Sequence, residues 1–128
     1  MNASADRILP PTEALFIPGE QIASIPITQV EGQPFARPPV LQLLMVTPDM
    51  HCIKLFRAKG SIDPEHRHDD LTTVCCLCSG RLKLWIGDQT FIAEPGDVWV
   101  HRQGVAHRCE ALEDSLQISI NAPASRTW

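Results

Sequence analysis

Turn-forming residues interrupt this chain at short intervals, and their spacing limits its possible folds more than any other feature. The 128 residues include 11 prolines and 7 glycines, spread along the whole length. No apolar pattern with a helical period continues for a useful length between them, whereas short apolar stretches bounded by turn residues are common. The sequence therefore predicts an all-β protein, and its length suits a single domain with one core.

Several strands can be placed from their alternation and from the turns between them. Residues 82–86 alternate between apolar and other side chains, as in a half-buried strand, and Gly87-Asp88 predicts the hairpin turn that follows. Many short strands with closely spaced turns are typical of a sandwich, a jelly roll or a small barrel. The other predicted strands are residues 41–46, 52–57, 71–78, 90–93, 98–101 and 116–120.

The chain divides into three predicted parts. Residues 1–38 are interrupted by six prolines, which cannot donate to a sheet ladder, so this part is predicted to form an extended arm with edge strands, one of them at residues 24–30. Residues 39–122 form the predicted barrel, and residues 123–128 form a tail. An arm of this kind often pairs with a second subunit in small barrels.

Composition and charge argue against several classes of partner. The net charge of −4 disfavours nucleic acid, and no apolar stretch is long enough to cross a bilayer. Residues 1–11 lack the basic and apolar regions of a secretory signal. The odd number of cysteines, five, speaks against a disulfide framework and predicts free thiols in a cytoplasmic protein.

Three histidines form a candidate metal site. On an extended strand His66 and His68 point to the same face, so both imidazoles can reach one ion. His107 follows a later turn and strand and is a third candidate ligand. Imidazole suits iron, nickel, zinc or copper, and three neutral histidines leave coordination positions open for water or substrate.

The residues around these histidines resemble the two motifs of the cupin superfamily. In the first motif the spacing of the two glycines and two histidines matches without a gap, and in the second the glycines and the histidine match. The resemblance covers residues 40–122 and implies a double-stranded β-helix, or jelly-roll barrel, with a divalent metal such as iron, manganese, nickel or zinc. The motif positions are Gly60, His66, His68, Thr73 and Gly80, then Gly96, Arg102, Gly104, His107 and Ala111.

Three positions depart from the cupin pattern. Thr73 stands where the family usually has a glutamate ligand, Arg102 replaces a proline, and Ala111 replaces an asparagine. The hydroxyl of threonine is a poor ligand, so the resemblance implies a site of three histidines whose ion keeps its full positive charge and attracts anions. The alternative is a pocket that has lost its metal.

Neighbouring residues have two open interpretations each. Cys75, which shares a face with Thr73, is either a wall of the pocket or a soft ligand and reactive thiol. His101 is either a general acid or base near the metal or a hydrogen-bonded structural residue. His51 is expected in a turn, exposed to solvent. Trp85 and Trp99 are expected in the core or an interface, and a carboxylate-binding role is open for Arg57, Lys54 and Arg102.

The favoured function is that of a small metalloenzyme with isomerase, lyase or dioxygenase chemistry on a small molecule. Segments 111–115 and 121–126 resemble, over a short length, cupins of the pectin-degradation type, which act on unsaturated sugar acids. The resemblance also implies a homodimer. A ligand-binding or sensor cupin without turnover is the alternative, because one fold hosts many chemistries.

Overall fold

The computed structural model describes residues 7–128, and all strand pairs in this part of the chain are antiparallel. The first six residues of the predicted arm lie outside the described residues. The strands are β1 Ile25–Pro26, β2 Gln29–Val30, β3 Gln33–Pro34, β4 Val40–Val46, β5 His51–Arg57, β6 Thr72–Ser79, β7 Leu82–Ile86, β8 Gln89–Ala93, β9 Val98–His101, β10 His107–Ala111 and β11 Ser115–Ala122.

Two main sheets build the all-β barrel that the sequence predicts. The larger sheet has the strand order β1-β4-β5-β11-β6-β9, and the smaller has the order β10-β7-β8. A separate hairpin joins β2 to β3. Strands β4 and β5 pair as neighbours, and β11 returns to lie between β5 and β6. The first and last strands of the barrel, β4 and β11, therefore lie in the same sheet.

Two apolar clusters fill the barrel, and a polar cavity lies between them. The first cluster is centred on Leu77, Leu82 and Leu84, and the second on Leu41 and Ile53. Members of both clusters line the same cavity, so the core supports the polar groups of the interior from two sides. The rings of Phe35 and Trp128 pack against the second cluster from the hairpin and the tail.

The N-terminal segment is attached to the barrel at several points. The amide of Leu9 donates to the carbonyl of Ala124 (2.9 Å), and the amide of Thr12 donates to that of Val46 (2.9 Å). The predicted edge strand at residues 24–30 is instead two separate strands, β1 and β2. Pro26 ends the first of them, because proline has no N–H to continue the ladder. The three-part division of the chain stays a prediction.

Two strands, β3 and β10, were not predicted, and the ends of others were misplaced. Strand β10 was not predicted, because Arg108 and Glu110 make it look like a polar loop. Strand β5 begins at His51, one residue earlier than predicted, and β6 is displaced by one residue. Strand β11 is longer than predicted at both ends. Alternation defines the middle of a strand much better than its ends.

Strand β11 reverses the usual alternation of a half-buried strand. Its polar residues are buried, whereas its apolar residues point outward, with Ile120 43% exposed. The alternation alone would predict the opposite orientation, because apolar side chains normally face the core. The four inward polar residues are Ser115, Gln117, Ser119 and Asn121.

Gly80 shows why one motif position must be glycine. It has a φ of 88° between β6 and β7, and a Cβ atom there would lie 2.3 Å from the carbonyl oxygen of Asp114. No L side chain fits that space, so the close approach of this turn to the start of β11 requires glycine. Among residues 7–128, no helix has the length and apolar character needed to cross a membrane.

Candidate metal centre

His66, His68 and His107 converge on one point of the barrel interior. Their candidate ligand atoms all lie within 4.8 Å of one another. An isolated bridge positions two of them: the amide of His66 donates to the carbonyl of His107 (3.1 Å), and the amide of His107 donates back (2.8 Å). His66 and His68 lie outside the named strands, in a segment before β6 whose ladder is a single bridge at His66.

Backbone carbonyls fix the tautomer of two of these histidines. The Nδ1 atom of His66 lies 2.8 Å from the carbonyl oxygen of Pro64, and that of His107 lies 3.1 Å from the carbonyl oxygen of Val105. A carbonyl oxygen only accepts, so each Nδ1 carries the hydrogen. The lone pair then lies on Nε2 of both rings, which is the arrangement that a metal ion requires.

Burial keeps all three imidazoles neutral at physiological pH. Desolvation lowers the pKa of His68 to about 3 and that of His107 to about 4, and the neighbouring imidazoles add to the effect. The pKa of His66 is also lowered, again chiefly by burial. A neutral imidazole binds a metal ion without first losing a proton, so this donor set suits a divalent transition metal.

His101 lies against the three-histidine cluster. Its ring stacks on that of His107, with 3.5 Å between centroids and 11° between planes. Burial lowers the pKa of His101 to about 2, so the ring is neutral at pH 7. It lines the same cavity and pairs across the sheet with Thr73. We call His66, His68, His101 and His107 the histidine cluster.

Thr73 is buried in the cavity wall, and its hydroxyl is part of a hydrogen-bond chain. The hydroxyl donates to the side-chain oxygen of Asn121, and the amide nitrogen of Asn121 lies 3.0 Å from Nε2 of His51. The expectation that His51 is exposed in a turn is wrong: its exposed fraction is 0%. It opens β5, pairs with Val46 and contacts the ring of Trp128.

Cys75 also faces the cavity, on the same side of β6 as Thr73. Its side chain is 1% exposed, and the hydroxyl of Ser119 lies 3.5 Å from its sulfur. Burial raises the pKa of the thiol to about 11, so it is protonated at pH 7. A protonated thiol is neither a nucleophile nor a ligand, which favours the pocket-wall interpretation.

Arg57 is the one candidate anion-binding residue that the structure buries. Its guanidinium forms two hydrogen bonds with the carboxylate of Asp63 (3.0 and 2.9 Å) and a third with Gln117 (2.7 Å). Burial alone would lower the pKa of Arg57, but Asp63 more than offsets this and the pKa is raised. Each of its three nitrogens therefore already has a partner, while Lys54 is half-buried and Arg102 exposed.

Four residues of the interior were not singled out from the sequence: Glu31, Asp63, Gln117 and Asn121. The reversed alternation of β11 is the one signal that could have indicated the last two. Asp63, Gln117 and Asn121 line one cavity, whose volume of about 60 Å³ holds an ion with a few water molecules. Trp99 lines this cavity as well, whereas Trp85 lies under the guanidinium of Arg108 (3.9 Å to the ring centroid).

Solved structures share this fold at low sequence identity. KdgF from Halomonas sp. is 20% identical, over 88% of this chain and 94% of that one, with a TM-score of 0.74. A predicted oxalate decarboxylase from Thermotoga maritima is 14% identical, over 84% and 98%, with the same score. Salicylate 1,2-dioxygenase from Pseudoaminobacter salicylatoxidans is 19% identical, over 59% and 20%, with a TM-score of 0.56.

The family is shown by a different comparison. No curated protein sequence is significantly similar to this chain. The family model of the cupin domain, however, matches residues 56–119, which is half of the chain and includes all four members of the histidine cluster. Together with the antiparallel barrel and the converging histidines, this match identifies the chain as a member of the cupin family.

Proposed function

We propose that this cupin binds one divalent transition metal ion through His66, His68 and His107 and acts on a small anionic molecule. The observation that carries the proposal is the convergence of three neutral imidazoles within 4.8 Å, two of them held with Nε2 free. A bound ion would supply Lewis-acid polarisation of a substrate oxygen or a site for dioxygen. The chemistry is that of an isomerase, a lyase or a dioxygenase.

The charge balance of the cavity supports an anionic substrate. Thr73 contributes no charge where cupins usually have a glutamate, and Arg57 is already neutralised by Asp63. Three neutral ligands leave the charge of the ion uncompensated, so it attracts a carboxylate or an enolate. Neighbours of the fold include proteins described as a predicted oxalate decarboxylase and a salicylate 1,2-dioxygenase, whose names refer to carboxylate compounds.

A non-catalytic ligand-binding cupin is the second candidate. It is favoured by the small volume of the cavity, about 60 Å³, and by the low pKa of His101, which leaves no protonated imidazole there at pH 7.

The homodimer and the cytoplasmic location stay predictions. The outer face of the larger sheet would suit a second copy, since Phe56, Val74 and Ile120 are each at least 40% exposed.

Metal content tests the proposal directly. We expect close to one equivalent of iron, manganese, nickel or zinc in protein purified without a histidine tag, and none in the His66→Ala/His107→Ala double variant. His51→Gln is the matched control, since it removes a buried histidine outside the cluster and should keep the metal. Iron would direct activity assays to dioxygenases, and zinc or nickel to isomerases and lyases acting on sugar acids.

The opposite result has a definite meaning. If the wild-type protein holds no metal after reconstitution with each of these ions, the metalloenzyme proposal is wrong. The protein would then be a metal-free binding cupin. Loss of metal from His51→Gln as well would mean that the measured ion was bound elsewhere.

A further inference from the structure

His68 differs from the other two candidate ligands in its outer nitrogen. Nδ1 of His66 and Nδ1 of His107 each have a backbone carbonyl as partner. Nδ1 of His68 is buried and has no hydrogen-bond partner. An oxygen of the Glu31 carboxylate lies 3.8 Å from it, and the side chain of Glu31 is only 14% exposed. A shorter separation would let a hydrogen on Nδ1 pair with this carboxylate, and a hydrogen bond to an ionised group is a strong one.

The backbone at Glu31 is unusual for its residue type. Glu31 has a φ of 48° in the turn between β2 and β3, a left-handed conformation that favours glycine or asparagine. The surrounding structure holds it there: its amide donates to the carbonyl of Thr127 (2.8 Å), and the amide of Gly32 donates to the side chain of Gln29 (2.6 Å). A glutamate kept at an unfavourable turn position indicates that its side chain has a task.

A neighbouring cation holds the carboxylate in place. Arg7 forms an ion pair with Glu31, and its other terminal nitrogen lies 3.4 Å from the carboxylate of Asp70. The N-terminal segment and the hairpin therefore reach the metal centre from outside the barrel sheets. Among residues 7–128, Glu31 provides the one carboxylate within 4 Å of the His68 ring nitrogens.

We propose that Glu31 is a positioning residue for His68: its carboxylate accepts the Nδ1 hydrogen and so directs the lone pair of Nε2 to the ion. The inference rests on the proposed metal site. A carboxylate behind a ligating histidine fixes the ring and makes it a stronger donor. In this chain the Glu31 carboxylate also places a negative charge behind His68, which partly replaces the charge of the glutamate ligand that Thr73 lacks.

The tautomer of His68 in metal-free protein gives a test that needs no bound metal. Two-bond ¹H–¹⁵N correlation spectra of the wild type should show His68 with its hydrogen on Nδ1. In Glu31→Ala the ring should shift to the other tautomer or to a mixture, while His66 and His107 remain unchanged. Glu31→Gln, which keeps an acceptor oxygen, should retain the wild-type tautomer. A wild-type ring with its hydrogen on Nε2 would overturn the proposal.

Cobalt binding gives the second readout. The affinity for Co²⁺, measured by titration, should be about 10- to 100-fold lower for Glu31→Ala than for wild type, and the visible spectrum of the bound ion should differ. Glu31→Gln should recover part of the affinity. The matched control is Glu20→Ala, which removes the same charge from an exposed site in the same segment. Melting of the metal-free proteins checks that each variant is folded, and Arg7 keeps Asp70 as a partner in both Glu31 variants.

The outcomes separate this inference from the proposed function. If the wild type binds no Co²⁺, both the metal site and the role of Glu31 are wrong. If the wild type binds Co²⁺ and Glu31→Ala binds it with the same affinity and spectrum, only the role of Glu31 is wrong. An equal loss of Co²⁺ affinity in Glu20→Ala would mean that the effect comes from removing any negative charge in this segment, and it would also overturn the inference.

Discussion

Two polar clusters share the interior of this barrel, and they differ in how far their hydrogen bonds are satisfied. In the first, which we call the arginine cluster, Arg57 bonds Asp63 and Gln117, and the thiol of Cys109 lies 3.4 Å from Asp63. In the histidine cluster, the Nε2 atoms of His66 and His107 face the cavity with free lone pairs. Both clusters line the same cavity, and each includes buried side chains.

The difference indicates which cluster maintains the fold and which is available to a ligand. A buried polar group is tolerated when its partners are within the protein, and the arginine cluster meets that condition. A group of neutral acceptors that face one another has no partner until an ion or a donor arrives. We therefore expect a structural role for the arginine cluster and a binding role for the histidine cluster, which substitutions can test.

The largest effect on stability is expected for Asp63→Ala. This change leaves the buried guanidinium of Arg57 without its carboxylate, which should lower the free energy of unfolding by about 3–5 kcal/mol. The matched change in the other cluster, His66→Ala, should cost less than about 1 kcal/mol in metal-free protein, because that ring is partly exposed and bonds only Pro64. Urea unfolding of both variants without metal gives the two values.

Equal losses in the two variants would contradict the comparison. They would mean that the histidine cluster also stabilises the metal-free fold. If Asp63→Ala does not fold at all, Asp63→Asn, which keeps the shape and one acceptor oxygen, provides the intermediate value.

A second prediction concerns pH and a histidine outside both clusters. Burial lowers the pKa of His51 to about 4, so folded His51 stays neutral where the unfolded chain, with a pKa near 6.5, binds a proton. Stability from this residue is complete above about pH 6.5 and is lost as the pH falls toward 4, by roughly 3 kcal/mol. Compared with wild type, metal-free His51→Gln should lose less stability over this range.

The paired comparison isolates His51 from the other buried histidines. Those contribute the same acid-sensitive term to wild type and variant, so it cancels in the difference. Unfolding curves at several pH values between 7 and 4 give this difference. Parallel curves for the two proteins would mean that His51 titrates at its ordinary pKa and is exposed after all.

The smallest effect is expected for His101→Phe. Phenylalanine keeps an aromatic ring against His107 but has no nitrogen. If His101 supports the cluster by stacking, the affinity for Zn²⁺ should change by less than about threefold, which is under 1 kcal/mol. A much larger loss of Zn²⁺ affinity would mean that His101 is a fourth ligand and not a structural residue.

The sequence predicted those parts of the site that lie within the motifs. The spacing of Gly60, His66, His68 and His107 led to a barrel and a cluster that the structure contains. Glu31, Gln117 and Asn121 lie outside the motifs and were missed because their partners are distant in sequence, whereas Asp63 lies within the first motif at a position that the motif does not specify. Glu31 reaches His68 from the N-terminal hairpin, and no local pattern marks it.

His51 was misjudged for a related reason. A turn precedes it, and a histidine next to a turn is usually exposed. Its burial depends on Asn121, 70 positions away, and on the ring of Trp128, at the end of the chain. Strand β11 was predicted as a strand, but its inward face was not. Apolar alternation identifies the face toward the core only where the core is apolar.

The inward polar face of β11 has a consequence for how this protein can change. One wall of the cavity is encoded by alternate codons of a single short stretch, at positions 117, 119 and 121. The intervening codons specify the outer surface. A library randomised at positions 119 and 121 would therefore sample new ligand preferences while the outer surface stays as it is, so selection can adjust recognition independently of surface properties.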